Sequence, residues 1–236
     1  MSFVSQNWSD VVPTKKAKQT AWSYSRLNSF ETCPKKFWHT SVRKDVIEPE
    51  SEHMRYGKDV HKALELRVGK ARPLPINLRH LEKYASKLAE AKGEKLTEQK
   101  LAIDNMFEPC DWFSKTTWCR AILDLAIVKA PKAAVFDYKT GKISDDFTQL
   151  RLAGALLMLH MPEIETVDLN FLWTREKQIT RDEKRLTRDD IKQVILDIMP
   201  RIRKYEKAHR NEAFPARPSG LCRKHCPVKK CPHHGE

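Results

Sequence analysis

Two neighbouring stretches place ionisable side chains where a strand should be apolar. "CRAILDLAIVK" (119–129) and "AVFDYKTGK" (134–142) are rich in branched and aromatic residues, with "KAPKA" as a turn between them. Side chains alternate along a strand, so Ile122, Asp124, Ala126 and Val128 share one face of the first. In the second, Val135, Asp137 and Lys139 share a face. If the strands pair through the short turn, Asp124 and Asp137 project into one cleft. Two carboxylates that close repel, and one should take up a proton. A divalent cation removes the conflict, and hard oxygen ligands with open water positions suit Mg²⁺ or Mn²⁺. Lys139 beside the cation would orient or deprotonate an attacking water, or neutralise a phosphorane-like transition state. The competing reading is a surface strand whose Asp and Lys simply face water.

The cysteines form a second group. Cys222, Cys226 and Cys231 crowd the tail "PSGLCRKHCPVKKCPHHGE", and Cys33 lies far upstream before Pro34. Cys110 and Cys119 stand apart and read as ordinary thiols. In a reducing compartment such cysteines are thiols or metal ligands rather than disulfides. His225, His233 and His234 share the tail, so a tetrahedral Cys/His zinc site is chemically reasonable.

The elements that must position these groups follow from periodicity. Residues 1–20, with "TKKAKQT", read as a flexible basic arm. Leu27, Phe30 and Phe37 suit a docked helix, with Ser25 as its cap and Pro34 bending or breaking it. "HMRYGKDVHKALELRVGK" reads as a helix, and Leu78, Leu81, Tyr84 and Leu88 form the stripe of another, closed by Gly93. "LTEQKLAID" is a further strand before the acidic pair. "DDFTQLRLAGALLMLH" is helical, "TVDLNFLWT" is a strand, and "QITRDEKRL" is its hairpin partner. The last helix, "TRDDIKQVILDIMPRIRKYEKAHR", carries a capping signature at Thr187 and Asp190 and a kink at Pro200. This order predicts one α/β domain built on a mixed sheet.

The composition narrows the class of function. At 236 residues and 40% hydrophobic content the chain can build a sizeable core. No apolar run reaches membrane-span length, and "MSFVSQNWSD" lacks a secretory pattern, so a cytoplasmic protein is expected. Forty-four Lys and Arg against 31 Asp and Glu leave a net charge of +13, which points to a polyanion and first to nucleic acid.

Taken together, these motifs resemble the PD-(D/E)XK nucleases, and the RecB-like exonuclease branch with an iron–sulfur cluster in particular. "AILD" and "VFDYKTGK" resemble its acidic pair and lysine, implying Asp124, Asp137 and Lys139 as catalytic residues. "GKDVHKALE" resembles the motif whose histidine joins the metal site, here His61. "QLRLAGALL" resembles the helix motif that begins with glutamine, implying a role for Gln149 in the site. The tyrosine usual in that motif is absent, with Ala153 or Gly154 at its place. Glu98 on the first strand would steer the site from outside the ligand set, and Glu65 reads as a solvated charge.

"SRLNSFETCPKKF" resembles the amino-terminal motif of cluster-bearing members. By that likeness Cys33, Cys222, Cys226 and Cys231 hold a 4Fe–4S cluster, although C-x3-C-x4-C replaces the commoner C-x2-C-x5-C. Zinc remains the alternative metal. Either would close a loop of about 190 residues, removing roughly 5 kcal/mol of unfolded-chain entropy.

The resemblance implies a restriction-endonuclease-like α/β core over residues 21–220, with a central mixed sheet flanked by helices. An amino-terminal helical region would be joined through the cluster to a cysteine tail at 221–236. It implies a Mg²⁺- or Mn²⁺-dependent DNA exonuclease of recombination, repair or CRISPR-type processing, similar in size to CRISPR adaptation and viral recombination nucleases. A helicase, recombinase or integrase partner would be a separate chain. The alternative is a non-catalytic, iron–sulfur- or zinc-containing DNA-binding protein that kept the fold.

Overall fold

Branched and aromatic residues between Gly93 and Lys139 build three consecutive strands in the computed structural model, which describes residues 20–236. Strand β1 is Glu94–Asp104, β2 is Thr117–Lys129 and β3 is Lys132–Lys139, joined as an antiparallel meander. Gly93 starts it at φ +132°, where a β-carbon would come within 2.6 Å of the Val128 carbonyl oxygen. That approach and the positive φ both require glycine. Lys129 pairs with Lys132, so the expected turn between β2 and β3 is as tight as "KAPKA" implies.

Strand β4 (Thr166–Trp173) lies parallel to β3, which demands a crossover, and the helix Thr148–His160 provides it. Strands β5 (Gln178–Arg181) and β6 (Leu186–Thr187) both pair antiparallel with β4, fulfilling the hairpin read in "QITRDEKRL". The sheet is therefore mixed, in the order β1-β2-β3-β4-β5 with β6 also on β4.

In chain order the helices are α1 (Tyr24–Thr32), α2 (Pro34–Phe37), α3 (Glu52–Lys70), α4 (Glu82–Glu90), α5 (Thr148–His160), α6 (Ile191–Arg210) and α7 (Leu221–Lys224). Ser51 caps α3 by accepting from the Met54 amide, and Val60, Ala63, Leu64 and Val68 bury its inner face. They pack with Leu78, Leu81 and Leu88 against Leu125, Ile127, Phe136 and Tyr138 of the sheet. The stripe read as one helix is a 3-10 turn over Ile76–Leu81 followed by α4. Helix α5 buries nine of its 13 residues, as an all-round apolar helix must. The capping box at Thr187 and Asp190 is formed as expected.

The chain divides into two compact units. Ser51–Asp197 is the sheet unit. The other combines the described residues up to Glu50 with Ile198–Glu236, so α6 begins in one and ends in the other. In this second unit Ser23, not Ser25, caps α1, because the side chain must reach an amide three residues on, here that of Arg26. Pro34 ends α1 as expected, and Cys33 both closes α1 and caps α2. Phe30, Phe37, Tyr205, His209 and Phe214 pack edge-on or tilted in its core, and Arg201 grips Glu31 through two hydrogen bonds. The basic arm expected over residues 1–20 lies, apart from Thr20, outside the described residues. Among the described residues, no helix is long and apolar enough to cross a membrane.

Candidate metal-binding active site

The register of the meander sets three acids in a row. Leu125 pairs with Phe136, which places Asp124 and Asp137 opposite one another at the end of that ladder. On the other side Thr97 pairs with Leu125 and Gln99 with Leu123, leaving Glu98 and Asp124 at the unpaired rung between. Glu98 sits there at φ +49°, a left-handed conformation rare for a residue with a side chain inside a strand. One ligand atom each from His61, Glu98 and Asp124 lies within 4.8 Å of the others. The sequence reading set Glu98 outside the ligand set; the pairing register puts it opposite Asp124.

Helix α3 delivers His61 to this row. Its Nε2 lies 2.8 Å from the Tyr138 carbonyl oxygen, which can only accept, so Nε2 carries the proton. Nδ1 then faces Asp124 Oδ1 at 3.2 Å. A bare lone pair there would repel the carboxylate, so the contact calls for either a second proton or a cation. Burial opposes the charged ring, but the hydrogen bond and charge of Asp124 outweigh it and hold the His61 pKa above its ordinary value. Asp124 Oδ2 accepts from the Tyr138 amide at 2.7 Å, which fixes the carboxylate.

Asp137 and Lys139 are held from the other side by Gln149, the second residue of α5. Gln149 Nε2 donates to Asp137 Oδ1 at 2.9 Å, and its Oε1 accepts from Lys139 Nζ at 2.9 Å. Lys139 Nζ is also 2.6 Å from Asp137 Oδ2. Among the described residues this ammonium is the partner of the buried Oδ2, which accepts from no other donor. Burial, reinforced by the charge of Asp124, pushes the Asp137 carboxyl up to about 6, against the pull of Lys139. Burial and then Asp124 likewise raise Glu98. Three carboxylates thus stand against one ammonium and the His61 ring. This donor set, hard oxygens with one imidazole, fits a divalent cation.

The expected residues His61, Asp124, Asp137, Lys139 and Gln149 are therefore brought together, and Glu98 joins them. The missing tyrosine of the α5 motif has a packing explanation: a β-carbon on Gly154 would meet Leu169 and Leu186 at 3.0 Å. Ala153 is buried as well.

The cysteines behave as a separate group within the other unit. Cys33, Cys222, Cys226 and Cys231 all line one small cavity, together with Lys35, Lys36, Arg217 and His233. The Cys33 sulfur accepts from the amides of Lys36 and Arg217 at 3.5 Å, and the Cys222 sulfur from that of Ser219 at 3.4 Å. His225 and His234 are not among the residues lining it. Cys110 and Cys119 lie elsewhere, Cys119 fully buried with its thiol pKa driven up by desolvation.

The family model described as the PD-(D/E)XK nuclease superfamily matches residues 21–231. Among solved structures, a provisionally named exonuclease from Eubacterium rectale is 12% identical, with a TM-score of 0.49 over 94% of this chain and 91% of that one. The crystal structure of SSO0001 is also 12% identical, with a TM-score of 0.39 over 96% and 92%. No curated protein matches the chain.

Proposed function

Since the chain belongs to the PD-(D/E)XK nuclease superfamily, we propose that this nuclease is a Mg²⁺- or Mn²⁺-dependent deoxyribonuclease that digests DNA from its ends. The observation that carries the reading is the convergence of His61, Glu98 and Asp124 within 4.8 Å, beside Asp137 and Lys139. Asp124, Asp137, Glu98 and His61 would hold the cation, which supplies Lewis-acid stabilisation of the phosphodiester and a more acidic bound water. Lys139 orients the attacking water or offsets charge on the phosphoryl oxygens, with its ammonium held in place by Gln149 Oε1. Gln149 couples that lysine to Asp137, so both charges keep one geometry through the reaction. The net charge of +13 suits the polyanionic substrate.

The cysteine cavity supports a 4Fe–4S cluster held by Cys33, Cys222, Cys226 and Cys231. Amide donation to two of the sulfurs and the cationic lining would offset thiolate and cluster charge. A single zinc ion draws its ligands close at Zn–S distances of about 2.3 Å. Four cysteines on one cavity match the four thiolates that a 4Fe–4S cluster takes. On this reading residues 21–220 carry the nuclease and 221–236 close the cluster with Cys33, in DNA recombination, repair or CRISPR-type processing. Any helicase, recombinase or integrase would be a separate chain.

The test is digestion of end-labelled linear single- and double-stranded DNA with Mg²⁺ or Mn²⁺, against EDTA and against covalently closed circles. Metal-dependent loss of the linear strands with circles spared is expected. Cleaved circles would replace the exonuclease with an endonuclease. Linear DNA left intact under every metal would favour a non-catalytic DNA-binding protein.

A further inference from the structure

The segment joining β1 to β2 carries apolar surface that the core does not use. Phe113 is 84% exposed, and Ile122 on β2 is 45% exposed. Two cations lie over the neighbouring rings. Arg120 on β2 stands 5.4 Å from the ring centre of Trp112 and 5.9 Å from that of Phe113, and Lys100 on β1 stands 5.7 Å from Trp112. Among the described residues neither cation forms an ion pair with an acid, and Arg120 Nε is buried without a hydrogen-bond acceptor. A guanidinium held by rings and not neutralised by a carboxylate keeps its charge for an outside anion.

The placement gives this patch a direction. Arg120, Ile122 and Asp124 occupy alternate positions on β2 and so share one face. Lys100 pairs with Ile122 in the ladder, which sets it on that same face. The row of acids and the aromatic patch thus lie along one face of one hairpin, about 13 Å apart at the rise of a strand. Between them are an exposed aliphatic side chain and a lysine.

We propose that Trp112, Phe113, Lys100 and Arg120 form a stacking track for single-stranded DNA that leads to the acidic site. Lys100 and Arg120 take the phosphates, and the rings of Phe113 and Trp112 take unpaired bases. The occupant is a single strand because its bases present free faces, whereas those of a duplex are already stacked on one another. The track rests on the nuclease reading for its purpose, but its binding is measurable without catalysis.

The experiment uses Asp137→Asn protein in EDTA and follows the fluorescence anisotropy of labelled oligothymidine, an abasic strand of equal length, and a blunt duplex. With the track intact, oligothymidine should bind about tenfold tighter than the abasic strand, the scale of one or two stacked bases. Trp112→Ala/Phe113→Ala should bring the two strands level and leave duplex affinity unchanged. Phe113→Ala alone removes a ring already in solvent and keeps the test open if the double variant fails to fold; it should cut the discrimination several-fold. Retained discrimination in Phe113→Ala, or an equal loss on thymidine, abasic and duplex ligands, overturns the track. Digestion by the unmodified chain is read in parallel. Lost discrimination upholds the track whether or not DNA is digested, and retained discrimination ends it even where digestion is seen.

Discussion

The Asp137 carboxylate, held by Lys139 and Gln149, marks where the chemistry is concentrated, because it is desolvated beside a second acid, Asp124. Asp137→Asn removes that charge at nearly constant volume, and cleavage should fall to background. DNA affinity should change little, since it comes mainly from Lys and Arg contacts with phosphate. Digestion and filter-binding assays on the same preparation check this, and wild-type digestion would refute the assignment. Glu98 allows a sharper test, because it was read from the sequence as lying outside the ligand set. If it is a ligand, Glu98→Gln should weaken Mn²⁺ binding by about tenfold or more, on the scale known for metal-site substitutions. Titration of free Mn²⁺ by electron paramagnetic resonance reads this without any turnover. An unchanged Mn²⁺ affinity would return Glu98 to a positioning role.

At the scale of elements, α5 and α6 show how packing limits what a site can contain. Helix α5 lies so close to β4 and β6 that a β-carbon added at Gly154 would sit 3.0 Å from two leucine methyls, which must shift to admit it. Gly154→Ala should therefore lower stability by about 1–3 kcal/mol, read as a reduced urea midpoint with an unchanged slope. In α6, His209 is packed among Phe37, Tyr205 and Phe214, with Nε2 buried and unpartnered. Burial, aided by the charge of Arg26, lowers its pKa from 6.5 to about 4. The unfolded chain then binds the proton more readily over that interval, so stability is full above pH 6.5 and declines as pH falls toward 4. Melting temperatures from pH 7 to 4 should fall less steeply in His209→Phe than in the parent protein. Parallel slopes would place the acid sensitivity elsewhere.

At the scale of the whole molecule, the proposed cluster would join distant parts of the chain. If Cys33 and the three tail cysteines share one 4Fe–4S cluster, anaerobically purified protein should be brown, with about four iron atoms and four sulfides per chain. Cys226→Ser should bleach it, lower its melting temperature and speed its proteolysis, whereas Cys110→Ser should do none of these. Colourless protein with one zinc would overturn the cluster but keep the closure. Full metal content in Cys33→Ser would end the closure as well.

Much of this was legible before any folding was considered. Alternation put Asp137 and Lys139 on one face and Asp124 in an apolar strand, the short "KAPKA" turn suggested that their strands pair, and His61 came from the family resemblance. Those signals are local, and strand and helix periodicity are local properties. Other features depended on contacts between residues far apart in the chain. Glu98 became a site residue only through the β1–β2 register and its left-handed backbone. Gln149, given a role in the site by resemblance alone, became the bridge between Lys139 and Asp137 only once α5 crossed over the sheet. The aromatic patch on the β1–β2 connection carried no motif and appeared only when Arg120 and Lys100 came beneath its rings. The sequence by itself determined the carboxylates Asp124 and Asp137 as cation ligands and the strands on which they stood. Only the tertiary structure decided which of them share a site, because register and crossover are set by side-chain packing over the whole sheet, which no short window contains.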